Sequence, residues 1–374
     1  MKINIGGDFY INEKVKEPSR LIENMTSFFH DSDFNIINLE SPITESINSN
    51  KILKVGPHLN GHPETFNILK NLNINLVTLA NNHIMDFGDS GLNDTLKGLE
   101  ENSIGYVGAG TNLEHSAKAY TLNEGENKIA ILNFTENEWS IADENKSGAN
   151  PLDIIDNIKQ IKEARKTHDK LILIIHGGHE YYHLPSPRMI KQYRFYAENG
   201  ADIIIGHHTH CFSGYEIHKK VPIFYGLGNF LFTIKSKHEC WYRGILLQLE
   251  ITREKTTFEI HPIEQNKNNF SLILIKNKSK EIVLQEIEVL NNIIANKDLS
   301  FLHWTDFVNK MSKQCLYSYT PFSIIENRYL RAGIKKFNID KLIMKKKALK
   351  HILNVIRCES HIDVSREIMK NILK

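Results

Sequence analysis

Gly206-His207-His208-Thr209-His210 places three imidazoles within four residues, directly after the apolar run at 203–205. An apolar run that ends in glycine reads as a buried strand stopping abruptly, the glycine letting the backbone turn. In an open α/β sheet, side chains beyond a strand's carboxyl end face the crevice where ligands bind. His208 and His210, two apart, can therefore serve one metal ion or two neighbouring ones, with His207 as the alternative to His208.

Four other apolar runs end in the same way. Gly6-Gly7-Asp8 follows the first, Asn38-Leu39-Glu40-Ser41-Pro42 the second, and Ala80-Asn81-Asn82-His83, with Asp86, the third. His176-Gly177-Gly178-His179-Glu180 follows the run at 171–175. Each group has an ordinary explanation by itself: Asp8 as a loop cap, Asn82 as a turn residue, His176 as a satisfied core histidine. Carboxylates, amides and imidazoles at five strand ends point instead to one site. Mixed oxygen and imidazole ligation suits Mn2+, Fe or Zn2+ better than Ca2+, which takes oxygen alone. A bridging carboxylate flanked by histidines and an asparagine amide meets the needs of a two-metal hydrolytic centre. There, ions roughly 3.5–4 Å apart activate water and clamp the substrate's oxyanion. A histidine beside the ligand asparagine can then protonate a leaving group or stabilise transition-state charge.

The elements that must carry these groups alternate along the first 230 residues. Strand-like runs at 2–5, 34–38, 76–79, 104–107, 128–133, 171–175 and 203–205 are separated by helix-like stretches at 17–29, 64–72, 91–102, 153–166 and 187–199. Leu92, Leu96 and Leu99 recur at helical spacing, and Ile154, Ile155, Ile158 and Ile161 make an apolar stripe. Such alternation predicts an α/β fold with its sheet covered by helices. After Gly226 the pattern changes, and 244–252 with 257–264 reads as an antiparallel hairpin. Two packed sheets with outer helices accommodate both halves. Gly56-Pro57-His58-Leu59-Asn60-Gly61-His62-Pro63 reads as a Gly/Pro loop or as part of a pocket wall.

At 374 residues the chain exceeds what one hydrophobic core usually serves, so one large domain plus an appendage is expected. With 41% hydrophobic and 24% charged residues and a net charge of +2, it has no bias towards nucleic acid. The cysteines at 211, 240, 315 and 358 form no Cys-x-x-Cys pair and read as idle thiols. The amino terminus enters a strand without a signal-peptide core, and no run reaches the roughly 20 apolar residues of a membrane span. A cytoplasmic protein is the expectation. Residues 291–374 read as a helical extension with 16 Lys and Arg against 7 Asp and Glu. In it Lys345, Lys346, Lys347 and Lys350 interleave with Leu342, Ile343, Leu349 and Ile352. This describes an amphipathic helix with a solvated basic face, or a docking surface for an acidic partner or anionic lipid.

Six motifs in order, covering about residues 2–232, resemble CapA-type proteins, named for poly-γ-glutamate capsule synthesis and built on the calcineurin-like metallophosphoesterase fold. They are Gly7-Asp8, Asn38-Leu39-Glu40-Ser41-Pro42, Ala80-Asn81-Asn82-His83 with Asp86-Phe87-Gly88, His176-Gly177-Gly178-x-Glu180, Gly206-His207-His208-Thr209-His210 and Tyr225-Gly226-Leu227-Gly228-Asn229-Phe230. The resemblance implies a four-layer αββα sandwich over 1–268, with the helical extension at 291–374. By position it implies Asp8 on a first divalent ion, Glu40 in the bridging place, Asn82, His176 and His208 on a second, and His210 returning to the first. His83 would be the acid or charge-stabilising group, oriented by Asp86. Asn81, His179, Glu180, His207 and Asn229 would contact substrate or support the ligands. The phosphoesterase pattern has Asp-x-His where this chain has Asp8-Phe9-Tyr10, and Asp where it has Glu40; His58, His179 and His183 are the imidazoles available to fill the gap.

The implied activity is that of a metal-dependent hydrolase, using two ions of Mn2+, Fe or Zn2+. A metal-bound hydroxide would attack a phosphoester or a γ-glutamyl amide of an anionic small molecule or polymer, within capsule or cell-surface polymer metabolism. The alternative is a non-catalytic component that binds an anionic polymer in a biosynthetic complex. A protein partner through the terminal helices is compatible with either, and neither a nucleic-acid partner nor a transmembrane segment is expected.

Overall fold

The computed structural model describes residues 1–45, 50–125, 127–252, 254–325, 327–340, 344–357 and 359–373. Leu342, Ile343 and Cys358 of the sequence reading lie outside them. In chain order the strands are β1 (Lys2–Tyr10), β2 (Phe34–Leu39), β3 (Leu76–Thr78), β4 (Gly105–Val107), β5 (Ala109–Gly110), β6 (Tyr120–Glu124), β7 (Asn127–Thr135) and β8 (Gly148–Ala149). There follow β9 (Lys170–His176), β10 (Ile203–His207), β11 (Tyr215–His218), β12 (Val221–Phe224), β13 (Asn229–Phe232), β14 (Arg243–Ile251), β15 (Thr256–Gln265) and β16 (Leu272–Leu274). One sheet runs β16-β15-β14-β1-β2-β3-β4 with β13 also on β1, a second runs β11-β12-β10-β9-β7-β6, and β5 pairs with β8 in a small ribbon. β1 to β4 are mutually parallel, as are β7, β9, β10 and β12, so all their carboxyl ends lie at one edge of their sheet.

Side-chain alternation along these strands builds the layers. Ile129, Ile131, Ile172, Ile174, Ile203 and Ile205 face Ile3, Ile5, Ile36 and Leu76 of the other sheet in a core between the two. The intervening Ala130, Leu132, Leu171, Leu173, Ile175 and Ile204 pack instead on Ile161, Ala164, Met189, Tyr193 and Tyr196 of the helices Ile154–Thr167 and Pro187–Glu198. On the opposite side Ile37 and Leu39 pack on Ile68, Leu69, Leu92, Leu96 and Leu99 of Thr65–Asn71 and Gly88–Glu101. Three stacked cores make four layers, α on β on β on α, and each buried aliphatic side chain contributes about 1.5–3 kcal/mol. Strands buried on both faces explain why the runs at 171–175 and 203–205 are apolar throughout.

The stretch at 17–29 is a 3-10 helix, Pro18–Met25, followed by the short helix Thr26–His30, rather than one continuous α-helix. Helix also begins earlier than 291, at Asn277–Ala295, which buries Val283, Ile287 and Ile294. The chain forms two compact units, Met1–Phe301 and Leu302–Lys374. The second holds Arg328–Lys336, Lys346–Arg357 and Glu359–Leu373; on the middle helix Lys346, Lys347 and Lys350 are exposed while Leu349 and Ile352 are half-buried. Among the described residues no helix is long and apolar enough to cross a membrane.

Gly6-Gly7 produces a register shift in β1 that turns Asp8 inward. A Cβ on Gly7 would stand 1.8 Å from the Gly228 carbonyl oxygen, the same oxygen that accepts from the Asp8 amide at 3.1 Å. Gly7→Ala must therefore push β1 off the 226–229 turn. It is expected to cost at least the ~1–3 kcal/mol of core overpacking, measured as a lower Tm, and to weaken metal binding through Asp8. A Tm and ion content equal to those of the parent chain would refute this close-approach account.

Candidate metal centre

The carboxyl ends of β1, β2, β3, β9 and β10 bring Asp8, Glu40, Asn82, His176, His208 and His210 together. His176 Nε2 lies 3.1 Å from Asn82 Oδ1, 3.1 Å from His208 Nδ1 and 3.6 Å from Glu40 Oε1. Next to it, His210 Nδ1 lies 3.5 Å from Asp8 Oδ2, and His210 Nε2 lies 3.8 Å from Glu40 Oε1. Two donor groups result, Glu40–His176–His208 and Asp8–Glu40–His210, with Glu40 in both. Metal–ligand bonds of about 2.1 Å give ligand–ligand edges of roughly 3–3.5 Å, close to these separations. His208 and His210 adopt positive φ, 84° and 51°, a strain that the site geometry sustains.

Electrostatics show what the cluster lacks. Both carboxylate oxygens of Glu40 are fully buried, and among the described residues no hydrogen-bond donor reaches them. Burial, and then the charge of Asp8, push Glu40 well above the usual carboxylate range. Burial also raises Asp8, against the Asn38 amide that donates to its Oδ1 at 2.8 Å and the His208 N–H that donates to Oδ2 at 3.1 Å. Burial holds His176 well below its usual value and brings His210 down to about 3, so both are neutral imidazoles with lone pairs to offer. Two raised carboxylates among neutral imidazoles make a donor set that fits divalent cations. Oxygen and nitrogen donors without sulfur match Mn2+, Fe or Zn2+.

Both carboxylates bind protons more tightly in the metal-free folded protein than in the unfolded chain, so ion binding must displace those protons. Affinity for Mn2+ or Zn2+ is expected to rise with pH above the ordinary carboxylate range, with more protons released per ion at pH 6 than at pH 8. Titration calorimetry in buffers of different ionisation heat measures this, and equal proton release at the two pH values would contradict it.

Beside the cluster, His83 Nδ1 is 2.7 Å from Asp86 Oδ2, which leaves Nε2 for the crevice. Burial lowers the His83 pKa more than Asp86 raises it, and the Lys54 ammonium lowers it further. Lys54 Nζ is ion-paired with Asp86 Oδ1 and lies 3.2 Å from His83 Nδ1, with only 3% of its side chain exposed. The Leu59 amide donates to Asp86 Oδ2 at 2.7 Å, so the 50–62 loop closes over this dyad.

The remaining sequence candidates lie around the cluster. Asn81 donates to the Leu39 carbonyl at 2.8 Å and accepts from the His83 amide at 3.1 Å, tying the loop after β3 to the end of β2. Asn229 Oδ1 is 2.9 Å from His210 Nδ1, and its Nδ2 donates to the Trp241 carbonyl at 3.0 Å, so it orients a ligand imidazole. His179 is half-buried and feels Glu136, Arg188 and His208; Glu180 is exposed and adds to the negative field on Glu40. His207 points into the protein with both ring nitrogens buried and unpartnered, and desolvation brings it down to about 3.

Tyr10 occupies the place of the missing imidazole. Its hydroxyl accepts from Asn12 Nδ2 at 3.1 Å, its ring packs 5.0 Å from Phe232, and burial pushes it up to about 12. His58 is engaged 2.8 Å from the Ile52 carbonyl oxygen and His183 Nδ1 2.7 Å from that of Phe212. Among the described residues, the group that could hold an ion on this side is Asp8, Glu40 and His210.

Two contributors escaped the sequence reading. Asn38 lies 2.8 Å from Asp8 and 3.2 Å from His176 Nδ1, and was visible only as a polar residue two before Glu40 on the same strand face. Lys54 arrives on a loop and carries no local signal.

Two helix-flanked sheets thus make a four-layer α/β fold that gathers paired acid–imidazole groups at its strand ends. Residues 2–234 match the family model described as bacterial capsule synthesis protein PGA_cap, and the chain belongs to that family. It is 33% identical over 262 residues to the PGA biosynthesis protein CapA of Bacillus subtilis (strain 168), covering 67% of each chain. It is 32% identical over 240 residues to the capsule biosynthesis protein CapA of Bacillus anthracis, covering 60% of this chain and 58% of that one. Among solved structures it is similar to a hypothetical protein from Thermus thermophilus, with a TM-score of 0.47 and 13% identity, over 71% of this chain and all of that one.

Proposed function

We propose that the chain is a metal-dependent hydrolase of phosphoesters, or of γ-glutamyl amides, working in capsule or cell-surface polymer metabolism. The observation that carries this reading is Glu40, whose two buried, unpartnered oxygens are shared between two donor groups beside the His83–Asp86 dyad. Divalent ions held there would supply Lewis acidity for a water and for the oxygen of the scissile group. Asp8, Glu40, Asn82, His176, His208 and His210 would hold them, and Asn38 and Asn229 fix Asp8 and His210. Asp86 accepts from His83 Nδ1–H and aims Nε2 at the leaving group, to which the imidazolium form of His83, protonated at Nε2, would give a proton. Residues 1–268 carry this chemistry in our reading, and the basic helices of 291–374 offer a contact for an acidic partner of the same pathway.

A second reading, a non-catalytic binder of an anionic polymer, has one observation in its favour: Tyr10 withholds an imidazole from the first ion. Reconstitution of stripped protein with Mn2+, Fe2+ or Zn2+, followed by elemental analysis and assay on a generic phosphodiester and γ-glutamyl amides, separates the two. Bound metal with turnover that His83→Ala abolishes supports the hydrolase. Bound metal without turnover on either substrate leaves the binder, and no bound metal under any condition defeats the catalytic reading.

A further inference from the structure

We propose that His183, Cys211 and Cys240 form a separate site for a thiophilic cation, Zn2+ above all, distinct from the oxygen–nitrogen centre. One nitrogen of His183 and the two Sγ atoms all lie within 4.8 Å of one another. The three residues are far apart in sequence and meet only in the fold. Cys211 directly follows the ligand His210 and is fully buried, Cys240 is half-buried in the 3-10 turn Glu239–Tyr242, and His183 lies in the loop after β9.

The imidazole is set up as a metal ligand. His183 Nδ1–H donates to the Phe212 carbonyl at 2.7 Å, which fixes the tautomer and leaves Nε2 with a free lone pair. The same imidazole reaches the Cys240 thiol, which also contacts that of Cys211. Ser213 Oγ donates to the His183 carbonyl at 2.6 Å and holds its backbone in place. Zn–S bonds of about 2.3 Å and Zn–N bonds of about 2.0–2.1 Å require donors roughly 3.5–3.8 Å apart, so closure from the present separations needs only small side-chain shifts. Two sulfurs and one nitrogen select Zn2+ over Mn2+ or Mg2+, and a water on the half-exposed Cys240 side completes a tetrahedron.

Such an ion would brace the neighbouring centre. Trp241, next to Cys240, stands 4.6 Å from the His210 ring and offers its carbonyl to Asn229, which orients His210. Linking Cys211 to Cys240 ties the histidine loop to that wall, on the side where Tyr10 replaces an imidazole. The proposal does not depend on hydrolysis.

The test is titration of reduced, chelator-stripped full-length protein with Co2+, read by absorption. Thiolate ligation gives a near-ultraviolet sulfur-to-cobalt charge-transfer band that an oxygen–nitrogen centre cannot give. The expected result is such a band, bleached by Zn2+, lost in Cys240→Ser and in His183→Ala, and retained in His176→Ala. Both diagnostic variants change half-buried residues and are checked for a parent-like circular dichroism spectrum and Tm, whereas Cys211→Ala would open a gap at a fully buried position. Absence of the band in the parent chain, or its persistence in Cys240→Ser, overturns the proposal. So does thiol counting that finds Cys211 and Cys240 joined in a disulfide that forms in preference to metal binding, since the pair is then a redox couple.

Discussion

Glu40→Gln is expected to empty both ion positions at once, because Glu40 belongs to both donor groups. Loss of an orienting partner typically costs roughly 10–100-fold in metal affinity, and loss of a ligand common to two ions should exceed that at each. The same substitution should stabilise the stripped protein. In the metal-free fold the Glu40 pKa is raised above its unfolded value, so its ionisation favours the unfolded chain. The sign is that of a raised acid: no penalty below the unfolded pKa, and a growing one as pH rises towards the folded pKa. The slope over that window is up to about 1.4 kcal/mol per pH unit. Glutamine keeps the shape and removes the titration. The stripped variant should therefore melt above the stripped parent chain, by more at pH 8 than at pH 5, while the metal-reconstituted parent melts above both. Unchanged ion content, or a stripped variant no more stable at pH 8, would contradict the role given to Glu40.

The strand ends were legible in the sequence because strands buried on both faces must be apolar, so a carboxylate or imidazole at their limit stands out. That logic located Asp8, Glu40, His176 and the 206–210 loop, and the alternation of elements led to two sheets with outer helices. What stayed hidden depends on pairing between distant segments. Lys54 meets Asp86 only because the 50–62 loop folds back over the third strand's end. The cysteines carried no motif, since Cys211 and Cys240 meet through a turn after β13 rather than through spacing. Tyr10 announced a departure in the sequence, but its aromatic surroundings at Phe232 needed coordinates. Helix type at 18–25 was likewise beyond the pattern, because Leu21, Ile22 and Met25 suit the buried face of either helix.

His83→Ala should lower kcat by about 10²–10⁴, the usual contribution of a general acid, with ion content and Tm close to those of the parent chain. In the proposed mechanism His83 serves the leaving group without being in either donor group, so its removal separates catalysis from metal retention. Asp86→Asn will not make the same separation. Asp86 also neutralises Lys54, buried to 3% exposure, and breaking such a pair leaves an uncompensated charge worth roughly 3–5 kcal/mol of destabilisation. Lys54→Met breaks the same pair and should also lower Tm, but it is more informative, because Asp86 keeps its bonds to His83 Nδ1 and the Leu59 amide and the readout is a pH profile. Lys54 lowers the His83 pKa, so its loss should raise it. If protonated His83 serves the leaving group, activity falls as pH climbs through that pKa, and the alkaline limb of kcat should move to higher pH in Lys54→Met. A limb that stays in place, or moves to lower pH, would take the proton donor's role away from His83 even if His83→Ala is inactive.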